Sequence, residues 1–387
     1  MRSLPGLPEL DAGERAHVER MHALVRAEVD AGGGAIPFSR YMEMALHAPG
    51  LGYYRAGWRT FGVDGDFVTA PELSPLFASA MARQVEQVLS STGARDVIEV
   101  GAGSGAMAAQ MLLDLAPRGE VRYRILEPSG ALAARQRETI SARAPAAVVG
   151  VSWLDSLPRS GFRGVVLANE VLDALPVERF EVTAAGVLAH RVGFEYGRPV
   201  WRSRPAEPWL AEAVESLQNE IGYRLPLGYV SEIGPVRCAW AASIAQRMEC
   251  GLVLLTDYGF PRRELYHPDR SDGTLRCHFR HRRHDDPLVL CGLQDITAHV
   301  DFTAIAHASG LDVAGFTTQS EFLLGCGLLD LVSDVEPGSH DFVRLTAQIK
   351  RITLPGEMGE AVKVLALTRG IEDPLVGFSG RDHRIRL

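Results

Sequence analysis

Several features that mark other classes of protein are missing from this chain of 387 residues. It has no C-x-x-C spacing, no apolar run long enough to span a bilayer, no secretory signal, no internal repeat and no long low-complexity linker. These absences exclude zinc ribbons, membrane-spanning proteins and solenoids. An odd number of cysteines fits buried thiols in a reducing compartment, and we expect a cytoplasmic protein. The five cysteines are Cys238, Cys250, Cys277, Cys291 and Cys326.

Positive charge is also in short supply. The formal net charge of −8 argues against nonspecific nucleic-acid binding over the whole surface. What the chain does contain is 46% hydrophobic and 23% charged residues, the proportions of a folded globular protein. Its length leaves room for one large α/β domain and an added module.

Residues 97–105 are the most informative segment. An apolar run ends in Glu99, three glycines alternate with small residues, and an alanine-rich helical stretch follows. This order predicts a strand, a tight turn and a helix whose unpaired N–H groups face a ligand. A second strand-like run ends in Glu127, where an acid can bind both hydroxyls of a ribose. We therefore predict a nucleoside-bearing cofactor at the carboxyl edge of a parallel sheet.

The turn alone leaves the cofactor open. Gly101-x-Gly103-x-x-Ala106 also fits the dinucleotide fingerprint, which tolerates alanine at the third position. Glu99, however, lies two residues before the first glycine, where its carboxylate would repel a pyrophosphate and suit the α-ammonium group of S-adenosylmethionine. S-adenosylmethionine is favoured over a dinucleotide and over a turn that binds nothing.

Strand-like and helix-like runs alternate from residue 96 onward, as a doubly wound sheet requires. Helical stretches are predicted before it at 17–29 and 36–46, and Ser74 and Pro75 mark the start of a long helix. The predicted strands of the sheet are 96–100, 121–126, 147–151, 164–168, 251–256, 311–316 and 361–367.

Roughly eighty residues separate the fourth and fifth predicted strands, far more than an ordinary crossover. We predict three short antiparallel strands there, followed by two helices, and interpret the segment as an inserted α+β cap over the carboxyl edge of the sheet. A surface hairpin without function is the alternative. The predicted strands are 179–183, 187–194 and 198–202, and the helices lie near 208–219 and 235–248.

Five stretches together resemble the MidA family of S-adenosylmethionine-dependent methyltransferases, and the resemblance covers roughly residues 36–367. It implies an α/β fold with a seven-stranded, Rossmann-like class I methyltransferase sheet. It also implies protein arginine methylation, since the mitochondrial member modifies an arginine in a subunit of respiratory complex I during assembly. The stretches are 65–77, 97–105, 169–177, 255–259 and 294–302.

The resemblance sets the expected organisation and partners. A protein substrate is expected, with a complex I subunit as candidate, and neither nucleic acid nor membrane insertion; a homodimer stays open. An NAD(P)-dependent oxidoreductase and a non-catalytic assembly factor that keeps the fold are the rival functions. The expected regions are an N-terminal helical extension with an active-site loop (1–95), a cofactor-binding half (96–176), the cap (177–250), a C-terminal half (251–370) and a tail (371–387).

Carboxylates are the side chains that methyl transfer to arginine needs, because they hold the planar guanidinium and steer its charge. Glu170 and Asp173 follow the fourth strand and would share one face if that segment were helical. Glu72 in the N-terminal loop is the third catalytic candidate, and Glu232 in the insert is a further one. Each has an alternative role. Glu170 could bind the cofactor or hold a loop, and Asp173 could cap a helix. Glu72 could be an acid in the first turn of a helix, where the helix dipole favours negative charge.

The cofactor residues follow from the same stretches. Trp153 and Asp155 follow the third strand and could hold adenine, although a core tryptophan is the alternative for Trp153. Asp257 and Tyr258 follow the fifth strand and could line the substrate side, with a structural tyrosine as the alternative. The residues assigned to S-adenosyl-L-methionine are Glu99, Gly101, Gly103, Gly105, Glu127, Pro128, Asp155, Asn169, Asp66 and Thr69.

Residues 276–284 contain three histidines spaced three apart and four arginines. The neighbouring cations oppose a metal, and we expect none. A patch for phosphate or an acidic partner is a second interpretation, and a solvated loop is the favoured one.

Overall fold

A computed structural model describes residues 7–57, 68–159 and 161–387. The chain folds as two compact units. The N-terminal helices and most of the insert share one unit, whereas the central sheet forms the other. Of the described residues, the first unit contains 7–57, 173–239 and 260–301, and the second contains 68–159, 161–172, 240–259 and 302–387. Asp66, a predicted cofactor residue, lies outside the described residues.

The second unit is a mixed α/β fold built on the large central sheet. Seven strands form one continuous path in the order β3-β2-β1-β4-β5-β7-β6 within the described part of the chain. Strands β1 to β5 pair in parallel, and β7 is antiparallel to both β5 and β6. The strands are β1 Asp96–Val100, β2 Arg122–Leu126, β3 Val151–Leu154, β4 Phe162–Asn169, β5 Met248–Phe260, β6 Asp312–Thr318 and β7 Val362–Arg369.

The prediction of the third strand is wrong. Residues Val148–Gly150 form a 3-10 turn, and the strand begins only at Val151, which pairs with Tyr123 of β2. Val149 is 91% exposed, so the apolar run 147–151 is not a buried strand. A short run of apolar residues without alternation does not by itself distinguish a strand from a turn.

Helices cover the central sheet with apolar faces. Helix Pro75–Thr92 begins as predicted, because the Ser74 hydroxyl accepts a hydrogen bond from the Leu76 N–H at 3.2 Å and Pro75 needs no N–H partner at the first position. Gly93 ends this helix in the left-handed region. The other α-helices of the unit are Ala70–Leu73, Ala106–Leu115, Gly130–Arg143, Phe302–Ser309, Gln319–Gly325, His340–Thr353 and Met358–Ala361.

The first unit contains the predicted antiparallel strands of the insert. The strand Gly186–Glu195 pairs with Glu178–Thr183 on one side and with Arg198–Pro205 through a turn at Tyr196 and Gly197 on the other. The predicted helix 36–46 begins two residues late, because Ile36–Pro37 is a short strand that pairs with Val192 and Arg191. Val230–Ile233 completes this five-stranded sheet.

A three-stranded sheet and several helices complete the first unit. The strands are Arg282–His284, Arg276–Phe279 and Asp295–Thr297. The helices are Ala12–Ala31, Phe38–His47, Pro208–Ile221 and Arg262–Leu265, with Pro235–Arg247 spanning the boundary between the units and Val300–Asp301 a short further strand.

The sequence predicts buried thiols and no membrane-spanning segment, and the structure bears on both expectations. None of the five cysteines, all of them among the described residues, forms a disulfide, and three are buried: Cys277, Cys291 and Cys326. Cys238 and Cys250 are partly exposed, so burial holds only for the three. Among the described residues, no helix combines the length and apolar character needed to cross a membrane.

Candidate cofactor and active site

The predicted strand, turn and helix around the glycines are present. Gly101, Gly103 and Gly105 have φ angles of +64°, +52° and +85°, which residues other than glycine rarely adopt. A Cβ atom on Gly105 would lie 3.0 Å from the Cα of Gln136. The turn between β1 and helix Ala106–Leu115 thus depends on glycine both for its dihedral angles and for close packing.

Glu99 lies in β1 and is 2% exposed. Its Oε2 accepts a hydrogen bond from the Tyr123 hydroxyl of β2 at 2.6 Å. Burial raises the pKa of Glu99 to about 7, an effect that the Tyr123 hydrogen bond partly offsets. The carboxylate is therefore held inside the sheet unit, and a contact with the ammonium group of a cofactor stays a prediction.

Glu127 follows directly after β2 and is 8% exposed. Its Oε1 accepts from the Ser129 N–H at 2.9 Å, and its Oε2 accepts from the Gln136 amide at 3.0 Å. The same amide donates to the Gly103 carbonyl and accepts from the Trp153 indole N–H. Gln136 was not among the predicted site residues, because a single glutamine inside a mostly polar helix carries no local signal.

The end of β3 is more open. Trp153 is partly exposed, and the Arg137 guanidinium lies 3.7 Å from the centre of its ring. The ring also packs partly against the buried core cluster of this unit, so the core interpretation holds in part and a contact with adenine stays a prediction. Asp155 and Pro128 are exposed, so their assignment to the cofactor stays a prediction.

The segment after β4 is held by a buried acid. Asp257 at 0% exposure accepts hydrogen bonds from the N–H groups of Val171 at 3.1 Å, Leu172 at 2.8 Å and Tyr258 at 2.8 Å. Both of its oxygens thus bind backbone, which favours a structural role over a place on the substrate side. Glu170 has a φ of +51°, unusual for a residue with a side chain.

Glu72 contacts the glycine turn. Its Oε1 accepts a hydrogen bond from the Ser104 hydroxyl, and it lies in the short helix Ala70–Leu73. Thr69 precedes that helix in an extended conformation without a side-chain cap bond. This helix has only four residues, so its dipole is small. Stabilisation of the helix dipole is therefore a weak explanation for Glu72.

Asp173 belongs to the other unit. Residues 170–177 form bends and turns, so neither the shared helical face with Glu170 nor a helix-capping role applies. Asp173 is 6% exposed, and burial raises its pKa, while the charge of Arg237 acts in the opposite direction. Arg237 also donates to the Asp173 carbonyl at 2.8 Å.

Glu232, the further candidate of the insert, is engaged within the first unit. Its Oε2 accepts from the backbone N–H of Thr274 at 2.7 Å and from the Thr274 hydroxyl at 3.0 Å. Its Oε1 lies 3.7 Å from Arg179 Nε. The carboxylate is 5% exposed, so these contacts fit a structural acid better than one that receives a substrate.

Residues 276–284 form a β-hairpin rather than an irregular loop. The strands Arg276–Phe279 and Arg282–His284 pair across Arg280 and His281, which both have positive φ angles. In the part of the chain that the structure describes, no group of three or more histidine, cysteine or acidic side chains is arranged to hold a metal ion.

The residues of the second unit fit a nucleoside-bearing cofactor. The glycine turn has the left-handed dihedral angles that let backbone approach a ligand closely, and a hydrogen-bonded carboxylate follows β2. At the end of β4, the buried Oδ1 of Asn169 has no hydrogen-bond partner among the described residues. A parallel sheet with these features at its carboxyl edge defines the class of enzymes that bind a nucleoside cofactor.

The family is shown by comparison with known proteins. A family model described as "Putative S-adenosyl-L-methionine-dependent methyltransferase" matches residues 78–317. The chain belongs to this family, and the resemblance to MidA proteins is confirmed. Its cofactor is S-adenosylmethionine, and the dinucleotide alternative is wrong.

Relatives extend the match to nearly the whole chain. A Burkholderia thailandensis crystal structure with bound S-adenosyl-homocysteine is 42% identical, with a TM-score of 0.94, and the match covers 99% of this chain and 100% of that one. The Drosophila melanogaster "Protein arginine methyltransferase NDUFAF7 homolog, mitochondrial" is 27% identical over 403 residues, 89% of this chain and 86% of the relative. The human NDUFAF7 protein, which has the same activity in its name, is 26% identical, covering 86% and 80%.

Proposed function

We propose that this methyltransferase acts on an arginine side chain of a partner protein, with Glu170 as the principal carboxylate that binds the guanidinium. The observation that carries the proposal is the position of Glu170 directly after β4, in a left-handed conformation with a φ of +51°. The names of the relatives support arginine as the acceptor.

The backbone at Glu170 is conformationally costly for a residue with a side chain. A left-handed residue other than glycine costs about 1–2 kcal/mol. The position is nevertheless well anchored, since the Glu170 N–H donates to the Thr256 carbonyl at 2.8 Å and Asp257 binds the next two N–H groups. Strain that the surroundings enforce is typical of functional sites. A carboxylate at this position, where glycine would be cheaper, supports a role for the side chain.

Methyl transfer requires mainly that the protein positions the acceptor nitrogen in line with the methyl group and the sulfur. When bound, S-adenosylmethionine supplies a methyl group on a positively charged sulfur. The acceptor guanidinium is protonated and a poor nucleophile. A carboxylate can bind it through two parallel N–H···O bonds and favour positive charge on the nitrogens that do not attack. The attacking nitrogen would form a bond to the methyl carbon as the carbon–sulfur bond breaks and its electron pair stays on sulfur, which leaves S-adenosylhomocysteine. The methylated guanidinium would then lose one proton to solvent.

The remaining site residues receive proposed roles by their place in the sheet unit. Glu127 would bind the ribose hydroxyls, and Asn169 would place beside the cofactor an oxygen that has no hydrogen-bond partner in the described part of the chain. Glu99, the three glycines and Thr69 stay assigned to the cofactor, as do Pro128 and Asp155. Glu72, in the same unit, is the next candidate for the substrate carboxylate, whereas Asp173 lies in the other unit and keeps only its expectation from the sequence.

We also propose that the unit containing the insert selects the protein substrate, because it carries the additions that a plain sheet enzyme lacks. A subunit of respiratory complex I is the first substrate to examine, as the family resemblance implies. Comparison of proteomes with and without the gene by mass spectrometry tests both points. A methyl group found on a residue other than arginine would contradict the proposed acceptor.

Two substitutions of Glu170 test its role. Glu170→Gln keeps the size and the backbone strain but removes the charge, and we expect turnover to fall at least about a hundredfold, or ~2.7 kcal/mol. Glu170→Gly also removes the side chain but relieves the left-handed strain. It should lose turnover without losing thermal stability.

The assay follows methyl incorporation from radiolabelled S-adenosylmethionine into extract from a strain that lacks the gene. S-adenosylhomocysteine affinity, measured by calorimetry, is the control and should change much less. Lost cofactor binding with a preserved rate per bound complex would place Glu170 at the cofactor instead. Full rescue of the deletion strain by Glu170→Gln would favour the non-catalytic assembly factor.

A further inference from the structure

Gln136 connects three parts of the cofactor site. It lies inside helix Gly130–Arg143 and is 0% exposed. Its Nε2 donates to the Gly103 carbonyl at 3.1 Å and to Glu127 Oε2 at 3.0 Å, and its Oε1 accepts from Trp153 Nε1 at 2.9 Å. One side chain thus links the glycine turn after β1, the acid after β2 and the indole of β3.

Only an amide satisfies this arrangement. The indole N–H can only donate, so it fixes Oε1 on its side and directs the two N–H bonds of the Gln136 amide toward the other side. On that side lie the Gly103 carbonyl and the Glu127 carboxylate. A carbonyl oxygen and an ionised carboxylate can only accept hydrogen bonds. A glutamate at this position would place an oxygen against the Glu127 carboxylate, and the two acids would have to share a proton.

The backbone keeps Gln136 at this place. A Cβ on Gly105 would meet the Cα of Gln136 at 3.0 Å, its carbonyl oxygen at 3.3 Å and its Cβ at 3.4 Å. The helix therefore packs directly against the glycine turn. The Gln136 side chain is fully buried, and its amide holds one oxygen of the Glu127 carboxylate while the Ser129 N–H holds the other.

We propose that Gln136 is the positioning residue of the cofactor site. It aims the Glu127 carboxylate at the ribose hydroxyls and holds the carbonyl of the glycine turn in place. The inference rests on the proposed ribose-binding role of Glu127, and it adds that this role requires an amide donor behind the carboxylate.

The test compares Gln136→Glu with Gln136→Met by calorimetric titration of S-adenosylhomocysteine at pH 6 and pH 8. Gln136→Glu should weaken binding at least about tenfold relative to the unmodified protein at pH 8. The ratio should be smaller at pH 6, where a proton can bridge the two carboxylates. Gln136→Met, which keeps the length but has no amide, should weaken binding by a similar factor at both pH values.

A double substitution isolates the contact with Glu127. In Glu127→Gln combined with Gln136→Glu, a donor again faces an acceptor. The pH dependence of the binding ratio, taken against Glu127→Gln alone, should therefore become smaller than in Gln136→Glu, and the part that remains reports the Gly103 carbonyl, which an oxygen of residue 136 still faces. A purely structural role would give the same ratio at both pH values for every variant. Circular dichroism establishes that each variant is folded, and Gln136→Met alone decides the matter if Gln136→Glu does not fold.

The outcomes separate this inference from the function on which it rests. Failure of the unmodified protein to bind S-adenosylhomocysteine would contradict the cofactor assignment itself. Unchanged affinity in Glu127→Ala would contradict the ribose-binding role. Normal affinity in Gln136→Met, together with a loss in Glu127→Ala, would overturn the positioning role alone.

Discussion

The buried Glu99 predicts a dependence of stability on pH that a single substitution can measure. The pKa of this carboxyl is raised from 4.5 to about 7 by burial in the folded protein. The folded state therefore binds the proton more tightly than the unfolded chain does. The stability that the protonated form contributes is complete below pH 4.5 and is lost as the pH rises through about 7. Glu99→Gln removes the titration and keeps an acceptor for the Tyr123 hydroxyl.

The magnitude follows from the two pKa values. One pKa unit corresponds to about 1.4 kcal/mol, and most of the titration falls between pH 5 and pH 8. The unfolding free energy of the unmodified protein minus that of Glu99→Gln should thus fall by about 2–3 kcal/mol over this interval. Contributions of other titrating groups largely cancel in the difference, because both proteins share them.

Urea unfolding at pH 5, 6, 7 and 8 provides the measurement, and Tyr123→Phe provides the control. The Tyr123 hydroxyl donates a hydrogen bond to Glu99 at 2.6 Å, and this bond lowers the pKa of Glu99. Tyr123→Phe removes the bond and should therefore raise that pKa. The pH at which stability is lost should consequently move upward. A difference between the unmodified protein and Glu99→Gln that stays constant within about 0.5 kcal/mol from pH 5 to pH 8 would refute the reasoning.

Three further predictions concern the same sheet unit. Glu127→Ala should weaken S-adenosylhomocysteine binding by roughly tenfold to a hundredfold, about 1.5–3 kcal/mol, because the ribose hydroxyls lose a charged acceptor; calorimetry that finds equal affinity would contradict this role. Gly105→Ala should destabilise the protein by more than Gly93→Ala, since both have positive φ but only Gly105 has backbone within 3.0 Å of the added Cβ; thermal unfolding of the pair measures the contact. Asp257→Asn should cost about 1–3 kcal/mol in unfolding free energy, because an amide cannot accept three backbone N–H bonds on two oxygens, and unchanged urea midpoints would rule this out.

Local patterns were sufficient for much of the sheet. The glycines at 101, 103 and 105 announce a turn because only they adopt its dihedral angles, and an apolar run before them predicts β1. Ser74 and Pro75 locate a helix start through groups within two residues of each other. The third strand was predicted at the wrong residues because no such local signal is present there. A short apolar run has no periodicity that distinguishes a strand from an exposed turn.

The polar contacts that organise the site could not be predicted in the same way. Asp257 binds the N–H of Leu172, which is 85 positions away in the chain, and Gln136 binds Gly103 across 33 positions. Their partners are backbone groups, which every residue possesses, so no residue type at a fixed spacing signals them. Such contacts emerge only when the parallel strands bring the carboxyl ends of β1, β2, β4 and β5 to one edge.

The shared fold of the N-terminal segment and the insert changes how the proposed substrate-selecting role can be tested. Ile36–Pro37 pairs with the strand Gly186–Glu195, and the Ser39 hydroxyl donates to Glu178. Val192 and Val177 of the insert lie in the same buried apolar cluster as residues of helix Phe38–His47. Replacing the insert with a short linker would therefore remove a sheet and core that the N-terminal helices need. Lost methylation in such a deletion would report a damaged unit, so only exposed single substitutions in the first unit, with cofactor affinity unchanged, can reveal contacts with a protein substrate.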